Sequence, residues 1–154
     1  MISKPEPLID ISVEQFEHWP PALKVISHEH ARRFAFLALA NCAQGVALSW
    51  RSESVDPVVL SGGQSEVWLG VDQRVVCVTD QGMTLFSLGL GSSLLDIARF
   101  DDSTAVMCDG EVVVVNADYS IQRIHGLADI PKAVCFRNGK FVITFIDDSE
   151  ETIG

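Results

Sequence analysis

From Val55 to Gly154 the chain repeats a cascade of short β-hairpins at a spacing of about 36 residues, and no other feature restricts its fold as much. The clearest copy runs from Ser92 to Gly126 and contains four strand candidates, Leu94–Phe100, Thr104–Cys108, Glu111–Asn116 and Ser120–His125. They are joined by Asp101-Asp102-Ser103, Asp109-Gly110 and Ala117-Asp118-Tyr119, all rich in residues suited to tight turns. Asp96–Phe100 aligns with Lys132–Phe136, and in each copy a turn follows the Phe and leads into another apolar strand. Glu111–Val115 aligns in the other direction with Arg74–Val78. Three units result, roughly 55–90, 92–126 and a last one that begins near Pro131.

The inner strands indicate how such units pack. VVVV at 112–115, VVCV at 75–78 and FVITFI at 141–146 are unbroken apolar runs. A sheet with one wet face would alternate, so these strands are expected to be buried on both faces, between neighbouring sheets. In this strand rhythm, over about 100 residues, the chain resembles a β-propeller-type repeat protein. The Gly-His and Trp-Asp signatures of the WD family and the paired glycines of kelch repeats do not recur here. The expected fold is therefore mainly β: about three consecutive antiparallel blade-like sheets, an open or incomplete propeller-like stack, behind a short N-terminal helical segment.

A chain of 154 residues with 47% hydrophobic content is large enough for one domain with a real core. The expected division is a helical segment over 1–45 and a repeated antiparallel meander over 46–154. The longest apolar stretch, Phe34–Ala40, is far short of the ~18 residues of a membrane span. The N-terminus lacks a secretory pattern, so the expectation is cytoplasmic residence with no membrane association.

Ser12-Val13-Glu14-Gln15 has the form of a capping box and predicts a short helix to about Trp19, with Val13, Phe16 and Trp19 towards the core and Pro20-Pro21 ending it. A second helix is expected from after Ser27 to Gly45, since Ala31, Ala35, Ala38, Ala40 and Ala43 favour one. The rival is a hairpin pairing Arg33–Ala40 with Val46–Arg51. Helix is preferred because F-A-F-L-A-L lacks clean alternation.

The net charge of −10 is uneven, with −1 carried by residues 1–54 and −9 by 55–154. Many of the acids fall in turns: Asp72, Asp80, Asp101, Asp102, Asp109, Asp118, Asp147 and Asp148. Asp is a good turn residue and keeps an apolar sheet soluble. Turns of stacked sheets also emerge at common rims, where acids would steer a basic partner. Nucleic acid is disfavoured, because phosphate binding needs clustered Lys and Arg.

Motifs for chemistry are weak throughout. His28-Glu29-His30 lacks the second His of a zinc helix and reads as an exposed first turn. Gly89-Leu90-Gly91-Ser92-Ser93 sits at a joint between units, where Gly permits a tight turn. The paired aspartates fail calcium-loop spacing. Cys42, Cys77, Cys108 and Cys135 form no CxxC pair. No enzyme, cofactor or metal site is expected. The chain instead is similar, by class alone, to small acidic bacterial immunity proteins that neutralise a toxin. The expected partner is a protein, most concretely a basic toxin domain, bound through Asp101, Asp102, Asp147 and Asp148. The first pair occupies a hairpin turn and the second follows the strand that this turn introduces in the next unit, so the pairs need not share a rim and one pair suffices. Trp68 is the named apolar anchor, Trp19 and Trp50 being the others, with core packing as each ring's competing role. A structural or adaptor module completed by self-association or by a partner is the alternative, and a sheet that binds a small molecule or carbohydrate the third.

Overall fold

The computed structural model describes residues 8–61 and 65–153. They form four small sheets, one short helix and one 3-10 turn. The first sheet is built from β1 (Ile9–Asp10), β2 (Lys24–Ile26), β3 (Arg33–Leu39) and β4 (Cys42–Trp50), with α1 (Val13–Glu17) and the turn Pro21–Leu23 between β1 and β2. The second holds β5 (Val58–Ser61), β6 (Glu66–Val71), β7 (Arg74–Thr79) and β8 (Thr84–Gly89). The third holds β9 (Leu94–Phe100), β10 (Ser103–Cys108), β11 (Glu111–Val115) and β12 (Ile121–Gly126). The fourth has only three strands: β13 (Pro131–Arg137), β14 (Lys140–Phe145) and β15 (Glu150–Ile153). The last three sheets are antiparallel meanders in chain order and coincide with the three repeat units.

Three apolar layers weld the four sheets face to face. Leu37, Leu48 and Trp50 of the first sheet meet Leu69, Val71, Val76 and Val78 of the second. The opposite side of the second sheet, with Trp68, Val75 and Cys77, meets Val106, Val113 and Val115 of the third. Ala105, Met107, Val112 and Val114 then meet Phe141, Ile143 and Phe145 of the fourth. Strands β7 and β11 thus each feed two layers on alternate residues, which is why VVCV and VVVV show no alternation. Strand β14 feeds one layer, and FVITFI, expected to be covered on both faces, meets solvent on the other because no described sheet packs there. A fully buried Val is worth about 1.5–3 kcal/mol relative to an exposed one, so these layers are the main stabilising element. The first strands of the repeats lie beside one another, β9 touching β5, β6 and β13.

The segment expected as a second helix is a hairpin instead. Strand β3 pairs with β4 from Arg33 opposite Trp50 to Leu39 opposite Cys42. The register slips between Leu37 and Leu39, and Gly45, at φ +76°, lies in the extra length. An added Cβ there would sit 2.4 Å from the Leu37 carbonyl oxygen, so the site needs glycine. Alternation is missing because both faces are covered: Ala35 and Leu37 join the first layer, while Phe34 and Phe36 pack under the N-terminal segment. Tertiary burial here outweighs the helix preference of the alanines.

The first helix does form, and its capping box is complete, with Gln15 N–H donating to Ser12 Oγ at 3.1 Å and Ser12 N–H to Gln15 Oε1 at 2.8 Å. Phe16 is buried against Phe34, with ring centroids 5.3 Å apart. Trp19 lies over Phe36 and donates its indole N–H to the Gly45 carbonyl at 3.1 Å. Val13, expected inside, is exposed, because five helical residues offer a single inward position and Phe16 takes it.

The alignment of Phe100 with Phe136 predicts both rings in the core together with the apolar runs, and of these residues Val76, Val78, Val113, Val115 and Val142 are buried. Phe136 is half-buried, and two others differ. Phe100 is 42% exposed because it ends β9 at the turn, where it stacks on its repeat equivalent Phe136 at 4.2 Å. Ile146 is 58% exposed because β14 ends one residue before it.

Candidate functional site

The turn acids do not gather on one rim. Successive turns of an antiparallel meander leave a sheet at opposite ends. Asp101 and Asp102, in the β9–β10 turn, and Asp118, in the β11–β12 turn, therefore share one end of the stack. Asp109 in the β10–β11 turn and Asp147 and Asp148 in the β14–β15 turn belong to the other. The repeat fixes this correspondence across sheets, since Asp101 and Gly139, each in the first turn of its unit, line the same cleft. All four proposed partner-binding acids are exposed, but as two separate pairs.

Several acids serve the fold. Asp72 accepts from the Arg51 and Ser52 amides at 2.8 and 3.3 Å, and Asp80 accepts from the Asn41 side chain at 2.6 Å, so each ties the first sheet to the second. Asp118 and Asp147 close their own turns on Ser120 and Ser149, and those hydrogen bonds hold both carboxyls below the usual 3.8. Asp148 pairs with Lys132 at 2.8 Å.

Trp68 is not a partner-binding anchor. Its ring is 1% exposed, between the second and third sheets, with Phe86 and Tyr119 as aromatic neighbours. It stands on β6 among residues that alternate between two layers, and its alternate side faces the third sheet. Trp50 is buried likewise, with its indole N–H on the Val55 carbonyl at 2.9 Å. Beside Trp68 lies the most enclosed polar cluster: Glu66 accepts from the Tyr119 hydroxyl and pairs with Arg99, and the Cys77 thiol lies 3.6 Å away. Tyr119 and Arg99 come from the third sheet and Glu66 from the second, so the cluster fixes the two against each other.

The other sequence candidates are also structural. His28 is outside any helix; its ring Nδ1 donates to the Ser49 carbonyl at 2.7 Å, and its backbone amide reaches Ser49 Oγ. Gly91 lies at a joint, its amide donating to Glu111 Oε1 at 2.8 Å. Burial pushes the Cys77 and Cys108 thiols up to about 12, which leaves them protonated and unreactive at neutral pH. Among the described residues no three His, Cys, Asp or Glu side chains converge to hold a metal, and no helix there is long and apolar enough to cross a membrane.

The features that stand out as a surface lie on the fourth sheet. Its outer side carries Ala133, Cys135, Arg137, Lys140, Thr144, Glu150 and Thr152, all in contact with solvent, around the buried Val142. A concavity of about 340 Å³ lies on this face, bounded by Arg137, Lys140, Glu150 and Thr152. A second, of about 170 Å³, opens between the third and fourth sheets. Phe100, Phe136 and Phe141 line it, with Asp101, Gln122, Arg123 and Lys140. This is smaller than the roughly 300–1,000 Å³ of a pocket for a whole small ligand, and suits a single inserted side chain. Among the described residues, neither Arg123 nor Lys140 has a carboxylate within 4.0 Å.

Sequence reading missed these cations, yet a signal was there. Of the six Lys and Arg in residues 55–154, four (Arg123, Lys132, Arg137 and Lys140) follow residue 122. The acidic repeats concentrate their positive charge at the end of the stack that is not covered.

No protein-family model matches the chain, and no curated protein does. Solved structures do resemble it. Ika4, a computationally designed protein, superposes with a TM-score of 0.57 at 17% identity, over 84% of this chain and 89% of that one. BBS1N, solved in complex with ARL6DN, superposes with a TM-score of 0.51 at 15% identity, over 80% of this chain and 46% of BBS1N. The chain thus spans about half of that neighbour. At such identities the likeness is one of fold: repeated, blade-like antiparallel sheets.

Proposed function

We propose that this protein is a non-enzymatic protein-interaction module whose binding surface is the open end of the stack, formed by the fourth sheet and the cleft beside it. One observation carries this reading: among the described residues the fourth sheet has three strands where the second and third have four, and no described strand pairs with the outer edge of β15. An unpaired edge is a template for another chain. The 170 Å³ cleft with its three Phe rings supplies an apolar anchor point beside that edge.

Toxin immunity is a finer form of the same class and would use the acidic rim, which meets the open end at Asp101 in the cleft. Asp101, Asp102 and Asp118 leave one end of the stack together, and an acidic rim there suits a basic partner.

Affinity capture with three forms of the protein separates these surfaces. In the first, exposed Cys135 on the outer face of the fourth sheet carries a bulky maleimide. The second carries Asp102→Asn and Asp118→Asn, rim acids that do not line the cleft; the third is unaltered. Loss of a captured protein in the first form alone supports the open end. Loss in the second form alone, with capture that weakens steeply as salt rises, supports the acidic rim. A partner held equally by all three would overturn both.

A further inference from the structure

We infer that the open end takes an extended, acidic peptide segment, added antiparallel to β15 as the missing fourth strand; the inference rests on the binding surface assigned above. The second and third sheets show what the position holds, since β8 lies along β7 and β12 along β11. Among the described residues, β15 pairs in the fourth sheet with β14 alone.

The hydrogen-bonding groups of that edge are identifiable. Phe145 N–H donates to the Ser149 carbonyl at 2.9 Å. Bonded and non-bonded pairs alternate along an antiparallel ladder. Ile143–Glu151 and Phe141–Ile153 are therefore the bonded pairs that follow, and the backbones of Glu150 and Thr152 face outward. Their N–H and C=O groups are a docking edge two residues long in bonding register.

Charge selects the occupant. A strand beside β15 would lie over β12, just as β15 lies over β11. Arg123 and His125 of β12 are opposite Val114 and Val112, whose side chains face the fourth sheet, so both point towards the vacant strand position. His125 is held by Glu151 at 2.8 Å. Arg123 has no carboxylate within 4.0 Å among the described residues, and the cleft it lines holds two cations, Arg123 and Lys140, against one carboxylate, Asp101. The edge acids are already engaged, Glu150 by Arg137 and Glu151 by His125, so the net preference of the position is for negative side chains. This is opposite to what the overall charge of −10 suggests.

The test is fluorescence anisotropy on the 154-residue protein with three labelled eight-residue peptides, of alternating valine and glutamate, valine and lysine, and valine and serine. Valine–glutamate is expected to bind best. Thr152→Pro removes an outward N–H while leaving the β14 ladder intact, a change edge strands tolerate, and should abolish binding. Arg123→Gln, which leaves the backbone edge of β15 unaltered, should weaken the valine–glutamate peptide about tenfold, the usual scale for a hydrogen bond to a charged group, and leave valine–serine unchanged. Melting curves check that both variants fold. Equal binding of the three peptides, or unchanged binding to both variants, would overturn the inference. The Cys135 capture experiment reports separately on the broader reading, which survives such a failure if the capture is still lost.

Discussion

The two ends of the stack solve the same problem in opposite ways. The outer face of the first sheet is apolar, with Phe34 and Phe36 projecting from it, and α1 and its flanking residues cover it with Phe16 and Trp19. Lys24 completes the cover, its ammonium 5.2 Å from the Phe16 ring centroid and bonded to the Glu17 carbonyl at 3.0 Å. The outer face of the fourth sheet carries Arg137, Lys140, Thr144, Glu150 and Thr152, and can end in water without a cover. A stacked array needs a polar face or a cap wherever stacking stops. Among the described residues, one end has the cap and the other the polar face.

The contrast breaks most visibly at the cap. Phe16→Ala removes a ring that is 8% exposed and should cost about 3–5 kcal/mol in urea denaturation. Thr152→Ala on the opposite outer face should stay within about 0.5 kcal/mol, as surface changes do. A Phe16→Ala loss below about 1 kcal/mol would mean that the helix merely rests on the sheet.

Thiol chemistry reads the same contrast without a stability measurement. Cys135, on the uncovered face, is exposed, while Cys42 near the capped end is half-buried, 3.3 Å from where a Cβ on Gly82 would stand. Under native conditions at neutral pH an aromatic disulfide reagent should modify Cys135 first and Cys42 more slowly. Cys77 and Cys108, buried and with thiols pushed to about 12, should react only on unfolding. Native modification of either buried thiol at the rate of Cys135 would show that the inner layers open.

What the sequence revealed divides along similar lines. Strand Leu94–Phe100 was legible to the residue, because turn residues bound it, Gly91-Ser92-Ser93 before and Asp101-Asp102 after. The repeats were legible because the same strand lengths recur. The first sheet was not, since its β3 is apolar on both sides and one covering surface is a helix elsewhere in the chain. Nothing local to Phe34–Leu39 announces that Phe16 and Trp19 will supply that surface. Trp68 illustrates the same limit: its burial follows from which sheet lies opposite, not from its neighbours on β6. The separation of the two aspartate pairs was legible in principle, from counting turns. The three-stranded form of the fourth sheet among the described residues needed the strand order, which strand rhythm alone does not give.

A smaller effect is expected where the third and fourth sheets meet. Phe100 and Phe136 are stacked, but Phe100 is 42% exposed. Phe100→Ala should cost about 1–2 kcal/mol, from partial burial and the loss of one aromatic pair. Phe136→Ala should cost more, because Phe136 also meets Phe141 edge-on at 5.1 Å. Equal losses at the two positions would indicate that the cleft collapses over whichever ring remains.

The smallest effect compares two turns of the same form, one inside the stack and one at its open end. Asp118-Tyr119-Ser120 and Asp147-Asp148-Ser149 each place the middle residue at positive φ, 68° and 67°, and close the Asp carboxylate on the Ser. The middle residues differ in their partners, Tyr119 reaching the enclosed Glu66 and Asp148 the exposed Lys132. The hydrogen bonds from Ser120 and Ser149 favour the charged form and lower both carboxyls from 3.8. A group depressed on folding adds stability that is fully present above its unfolded value and is lost as pH falls through the folded one. Asp118→Asn and Asp147→Asn should therefore lie below the parent in stability by a constant amount from neutral pH down to about 5, and the gap should close below about 4. Urea midpoints at a series of pH values measure this directly. The gap at Asp118 should be the larger, because Tyr119 couples that turn to the sheet interface while the Asp147 turn stands in water. A gap that widens on acidification would mean that the carboxylates strain their turns and do not close them.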